Sequence, residues 1–145
     1  MILQLTPNTH PILHEKMKPC SEDLDRSKIS SILKENMIHY KGVGLSANQI
    51  GISERVFVMM LNMETEETIT CFNPRIIKRY EDNVWCEEGC LSFPDEIINI
   101  QRPNRIVVKY EDEDKKNHKI KLDSLAARVF QHEFDHLEGI DFTQR

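Results

Sequence analysis

The stretch Gln131-His132-Glu133-Phe134-Asp135-His136 sets two imidazoles and two carboxylates at a spacing that can do chemistry. The pattern is H-E-x-x-H. On a helix, His132 and His136 stand four residues apart on one face, so both rings can hold one divalent metal ion. Glu133 lies beside the first ring and can reach a water on that metal, where it acts as general base. The chemistry indicated is metal-assisted hydrolysis. A catalytic metal needs a third protein ligand and an open position. The upstream candidates are Cys90, Cys86, His118, Glu88 and other carboxylates. Cys90 has the most favourable surroundings: it follows a glycine, precedes Leu91 and Ser92, and lies in a stretch closed by Pro94. As a thiolate it would complete a His₂Cys set.

These groups need a helix beneath them. Asp123 is a plausible N-cap, and Leu125, Val129, His132 and His136 follow at helical spacing as one stripe. Gly139 is a natural stop. The stripe is apolar before it is metal-binding, which predicts histidines at the rim of the core.

The chain has 145 residues, net charge −5 and 30% charged residues. That size predicts a single domain over residues 1–145 with a real core. Acids and bases interleave along the chain without a basic stripe, which argues against nucleic acid as a direct partner. The acidic run Glu111 to Asp114 is followed by Lys115 and Lys116, the pattern of a solvated turn. There is neither an apolar run near membrane-spanning length nor a basic-then-apolar leader, so the reading is a cytoplasmic protein without a membrane partner. Cys20, Cys71, Cys86 and Cys90 are irregularly spaced and read as thiols.

Residues 1–20 carry Pro7, Pro11 and Pro19 and should wrap irregularly over the surface, with His10 and His14 as surface histidines. Ser21-Glu22-Asp23 reads as a helix start, and Ile29, Ile32, Leu33, Met37 and Tyr40 mark an amphipathic helix of about five turns, ending near Lys41-Gly42. Gly42, Gly44 and Gly51 in the next ten residues imply a backbone that something approaches closely. Arg55 to Leu61 reads as a buried strand, Ile69 to Phe72 as a short one, and Pro74 to Tyr80 as a separate extended stretch. Asn104 to Tyr110 and His118 to Leu122 alternate and should form a hairpin. The fold class expected is α+β, with short mixed or antiparallel strands around a central metal-binding helix.

Three motifs in order resemble the peptide deformylase family. Gly42-Val43-Gly44-Leu45-Ser46-Ala47-Asn48-Gln49 is similar to its G-x-G-L-A-A-x-Q motif, with Ser46 where alanine is usual. Glu88 to Ser92 reproduces E-G-C-L-S, and His132 to His136 reproduces H-E-x-D-H. The resemblance spans nearly the whole chain and points to a short form without a carboxyl-terminal extension, like some phage-borne members. It implies a hydrolase that removes formyl from the N-terminal formyl-Met of new polypeptides and releases formate. It implies Cys90, His132 and His136 as metal ligands, Glu133 as general base, and Gln49 and the Leu91 N–H as oxyanion donors. Val43, Gly44 and Gly89 would lie along the substrate. Leu125 and Val129, from the stripe, are read as walls of the methionine slot. The metal implied is Fe²⁺, with Zn²⁺ or Ni²⁺ as possible occupants. The enzyme is expected to be a monomer in a bacterial cell or phage-infected host, with an organelle and ribosome docking left open. Two rivals are weaker. A zinc endopeptidase would want a further ligand beyond His136, and Glu138 is too close to turn back. A non-catalytic metal-stabilised domain would need neither Glu133 nor Gln49.

Overall fold

The structure is a computed structural model, and it describes residues 1–144. In chain order the elements are α1 (Arg26–His39), β1 (Gly44–Ser46), β2 (Val56–Asn62), β3 (Glu67–Arg79), β4 (Asn83–Cys90), β5 (Phe93–Pro103), β6 (Arg105–Glu111), β7 (Asn117–Asp123) and α2 (Ser124–Leu137). Five strands form an antiparallel sheet in the order β1-β2-β3-β6-β7, and β4 pairs with β5 as a separate two-stranded sheet. This is the expected α+β class.

The two helices pack on opposite faces of the larger sheet, and the sequence of β2 follows from that. Strand side chains alternate between faces. Val56 and Val58 join Leu33, Met37 and Phe72 in the core under α1, while Phe57 and Met59 join Ile106, Val108, Val129 and Phe130 in the core under α2. Covered on both sides, β2 is an unbroken apolar run. The amino-terminal segment wraps the surface as expected. The Thr6 N–H donates to the Gln49 carbonyl at 2.7 Å and the Met17 N–H to the Leu137 carbonyl at 2.7 Å.

Four expectations need correction. The first helix starts later, at Arg26, with the Asp25 side chain accepting from the Lys28 N–H at 3.1 Å. Ser21 is spent on Glu54, to which its hydroxyl donates at 2.7 Å. The two strands read on either side of Pro74 are one strand. β3 passes through Asn73 and Pro74 with an irregularity between Phe72 and Arg75, and Asn73 takes a positive φ of 49°. β5 was not foreseen. Its first half is exposed from Pro94 to Ile97, and only Ile98, Ile100 and Arg102 alternate inward, too short an apolar signal to mark the strand. The absence of a basic stripe holds along the chain but not across it: register sets Arg75 opposite Lys109 and Lys109 opposite Lys119.

Candidate active site

Asp123 occupies the N-cap position of α2 without a side-chain capping bond. The helix ends at Gly139, whose φ is +78°. A Cβ there would stand 2.9 Å from the backbone of Glu15, so no other residue fits. Burial deepens along the stripe, from Leu125 at 39% exposed to Val129 at 7% and His136 at 1%. His132 is half-buried, at the rim as expected, whereas His136 lies inside the core.

The ligand atoms of Cys90, His132 and His136 all lie within 4.8 Å of one another. Cys90 Sγ is 3.3 Å from His136 Nε2. Cys90 reaches this point because β4 slips register between Gly89 and Cys90, and a bulge re-aims a side chain. Cys86 stays out of the group. It is buried, and its thiol donates to the Ile100 carbonyl at 3.4 Å. His118 is likewise remote in role, bonded to Asp112 at 2.7 Å and stacked on Tyr110.

Glu88, weighed as a ligand from sequence, instead holds a ligand. Its Oε1 meets His132 Nδ1 at 2.8 Å, which leaves Nε2 for the ligand triangle. Arg102 grips Glu88 through Nε and, at 2.9 Å, through Nη2, and reaches Asp135 with Nη1 at 3.0 Å. Burial opposes ionisation of Glu88, but His132 and Arg102 outweigh it and hold the carboxyl at about 2. Asp135 thus turns away from the ligand triangle, as its helical position implied. Arg102 was missed. It lies on the unforeseen strand, and its only trace in sequence is a charge continuing the alternation of Ile98 and Ile100.

His136 is pushed well below the usual histidine range, first by burial. A neutral ring is a ligand ring. Burial also works against a charged His132, yet Cys90, Glu88 and Glu133 draw it up to about 10. A ligating imidazole is neutral, so a metal at this site would displace the His132 proton. His136 Nδ1 and Glu133 Oε1 are buried without a hydrogen-bond partner among the described residues. Burial pushes Glu133 up to about 7, the range in which one group can take and return a proton near neutrality. Gly44 explains its own identity. A Cβ there would lie 2.8 Å from Glu133 Oε2 and 3.0 Å from Val129 Cγ1.

Gln49 is oriented by its own oxygen. Its Oε1 accepts from the Ser46 N–H at 3.0 Å and faces the Ser46 hydroxyl at 3.0 Å, so its amide nitrogen points to Ser92 Oγ at 3.0 Å and Cys90 Sγ at 3.6 Å. The Ser46 hydroxyl also donates to Asn48 Oδ1 at 2.7 Å, and Asn48 Nδ2 donates to the His136 carbonyl at 2.8 Å. Serine in place of the usual alanine is thus accommodated by hydrogen bonds. A cavity of about 440 Å³ opens beside the triangle, and Val43, Gly44, Gly89, Leu91, Leu125 and Val129 line it together with Glu133 and Gln49. The apolar convergence read from the stripe and the glycine segment is present.

Comparison with known proteins shows what the whole chain is similar to. The family model for polypeptide deformylase matches residues 2–145. The peptide deformylase of Thermotoga maritima is 42% identical over 131 residues, covering 90% of this chain and 78% of that protein. Its crystal structure superposes with a TM-score of 0.93 at 38% identity over 100% of this chain and 97% of that one. A probable peptide deformylase from Synechococcus phage S-SSM7 gives 0.88 at 38% identity over 97% of both chains. The Acinetobacter baumannii peptide deformylase, solved with Met-Ala-Ser bound, gives 0.92 at 28% identity, over 100% of this chain and 98% of that one.

Proposed function

This chain belongs to the peptide deformylase family, and from that premise we propose that Cys90, His132 and His136 hold its metal while Glu133 moves the proton. The enzyme removes the formyl group from the N-terminus of nascent peptides. What carries the assignment of residues is the three-ligand triangle, with a buried, unpartnered Glu133 oxygen beside it. When bound, a divalent metal there supplies Lewis acidity, bringing the pKa of a water near 7 and polarising a carbonyl. A His₂Cys donor set suits Zn²⁺, Fe²⁺ and Ni²⁺ alike by softness, and Fe²⁺ as the active ion rests on the family resemblance.

Glu133 takes a proton from the attacking water as its oxygen bonds to the formyl carbon. The carbonyl oxygen gains negative charge, which the Gln49 Nε2–H and the Leu91 N–H stabilise. Such donors are worth about 3 kcal/mol each in oxyanion holes. Glu133 then delivers its proton to the amine nitrogen as the C–N bond breaks, leaving formate and a free methionine amine. β1 is an edge strand, and its neighbour Val43 lines the cavity together with Gly89 of β4. An extended peptide fits between them by backbone pairing, and the Acinetobacter relative, solved with Met-Ala-Ser bound, supports a peptide as the occupant. Residues 1–145 act as one catalytic domain and a monomer. No helix among the described residues is long and apolar enough to cross a membrane, and we place the enzyme in the cytoplasm. The test is formate release from formyl-Met-Ala-Ser by protein prepared without oxygen. No formate from fully metal-loaded protein would overturn the reading.

Two expected results follow from the geometry. Cys86→Ser keeps about one metal per chain, because Cys86 bonds to Ile100 and not to the ligand group. Cys90→Ser lowers metal content or changes the metal retained, and the reverse pattern in metal analysis would refute the ligand set. Val129→Ala reduces kcat/KM for formyl-Met substrates more than for formyl-Ala substrates, by about 1–3 kcal/mol, the worth of a lost apolar contact in a slot. Equal losses on both would make Val129 a core residue only.

A further inference from the structure

The outer face of the sheet carries charge that the molecule leaves uncompensated. On the inner face, Ile76, Val108, Ile106, Ile120 and Leu122 pack into the core under α2. Alternation sends Arg75, Lys109, Lys119 and Lys121 to the other side. α1 covers that side over β1, β2, the start of β3 and the far end of β6, where Ser30 meets Thr70 at 2.7 Å and Arg26 meets Glu111 at 2.9 Å. Beyond it the face is bare and basic. Arg75, Lys109 and Lys119 are direct register partners across three strands, and Lys78 and Lys121 both stand opposite Val107. Lys78, Arg105 and Lys121 crowd one ring, Tyr80, at 4.4, 4.5 and 5.1 Å from its centroid.

Like charges directly opposite each other destabilise a sheet. Of the neighbouring acids, Asp123 shares the face opposite Arg105 at its end but forms no ion pair among the described residues, and the others are engaged elsewhere. Glu111 is paired with Arg26 at 2.9 Å, Asp112 with His118 at 2.7 Å, and Asp82 with Arg105 at 2.6 Å. Among the described residues, Arg75, Lys78, Lys109, Lys119 and Lys121 form no ion pair. A concentrated cationic face on a chain of net charge −5 is a local conflict, and such conflicts mark functional surfaces.

We propose that this face of β3, β6 and β7 binds the phosphate backbone of RNA. The row offers several cations in line, as a polyphosphate chain requires. A lipid surface fits less well: basic membrane-binding faces present several apolar or aromatic groups for insertion, whereas here Ile77 is exposed among cations and Tyr80 lies beneath three of them. The choice of RNA over other polyanions rests on the deformylase reading: nascent chains are made on an RNA-rich machine, and binding there raises the local substrate concentration. The face does not overlap the cavity residues, so docking leaves the active site free.

The test uses the metal-loaded full chain with a fluorescein-labelled single-stranded RNA, read by anisotropy, and phosphatidylserine vesicles as a second probe. With five cations engaged, log K should fall against log salt with a slope of about −3.5, at about −0.7 per phosphate on single strands. Lys109→Glu places an acid between Arg75 and Lys119, so it relieves repulsion and keeps the fold. It should weaken RNA binding at least fivefold and flatten the slope, while Lys18→Glu, the same charge change elsewhere, alters affinity less than twofold. Formate release from a formyl tripeptide should match wild type in both variants, which separates this proposal from the activity itself. No RNA binding at about 50 mM salt, equal losses in both variants, or vesicle binding without RNA binding would overturn it.

Discussion

Replacing Glu133 by alanine is expected to abolish nearly all deformylation while leaving fold and metal in place. Glu133 is buried, its Oε1 has no hydrogen-bond partner among the described residues, and burial pushes its carboxyl to about 7. A group in that state contributes little to stability, because burying an unsatisfied carboxyl costs free energy. Its retention is explained by the proton it moves. General acid–base groups contribute about 10²–10⁴-fold to rate, and no second carboxylate can substitute. Glu88 is held by His132 and Arg102, and Asp135 faces Arg102. The measurement is kcat/KM for formyl-Met-Ala-Ser beside metal content and melting temperature. A variant that keeps more than about a tenth of wild-type turnover, with metal bound, would remove Glu133 from the proton-transfer role.

The second large effect is on stability and metal retention together. Arg102→Leu takes the cation from between Glu88 and Asp135, all three of which are buried. Breaking a buried ion pair by removing one partner costs about 3–5 kcal/mol, because a charge is left behind in low dielectric. Glu88 would also lose the group that helps fix it against His132 Nδ1, and loss of such support lowers metal affinity about 10–100-fold. The acid limb of stability shifts as well. Glu88 at about 2 lies below its ordinary 4.5, so its contribution is complete above pH about 4.5 and is lost as pH falls towards 2. Without Arg102 the carboxyl rises, and acid unfolding begins at higher pH. Arg105→Leu removes an ion pair at the surface and serves as the control, since exposed pairs contribute little. Equal melting temperatures for the two variants would show that the Arg102 network does not hold the site.

Both effects depend on residues that differ in how visible they were. The ligand helix was legible because helical spacing is local: His132, Glu133 and His136 follow one another, and Gly139 ends the element where a Cβ would strike Glu15. β2 was legible because burial on both faces writes itself as an apolar run. Local chemistry in the sequence favoured Cys90 and indicated metal-assisted hydrolysis, and the resemblance of three ordered motifs to the family marked Gln49 and Gly44.

Tertiary structure decided what depends on partners distant in the chain. Arg102 has meaning only once β5 pairs with β4 and brings it to Glu88, fourteen positions away, and to Asp135 on α2. Cys90, favoured already in sequence, is brought to the ligand group by a register slip between Gly89 and Cys90 that no composition encodes. The start of α1 moved because Glu54 claims Ser21, a contact across the fold. The basic face exists only in the register of three strands, since Arg75, Lys109 and Lys119 are scattered among acids along the chain. Spacing within an element is fixed by backbone geometry and can be read directly. Pairing between elements is fixed by the balance of burial, hydrogen bonding and charge over the whole molecule, and it appears only when the chain has folded.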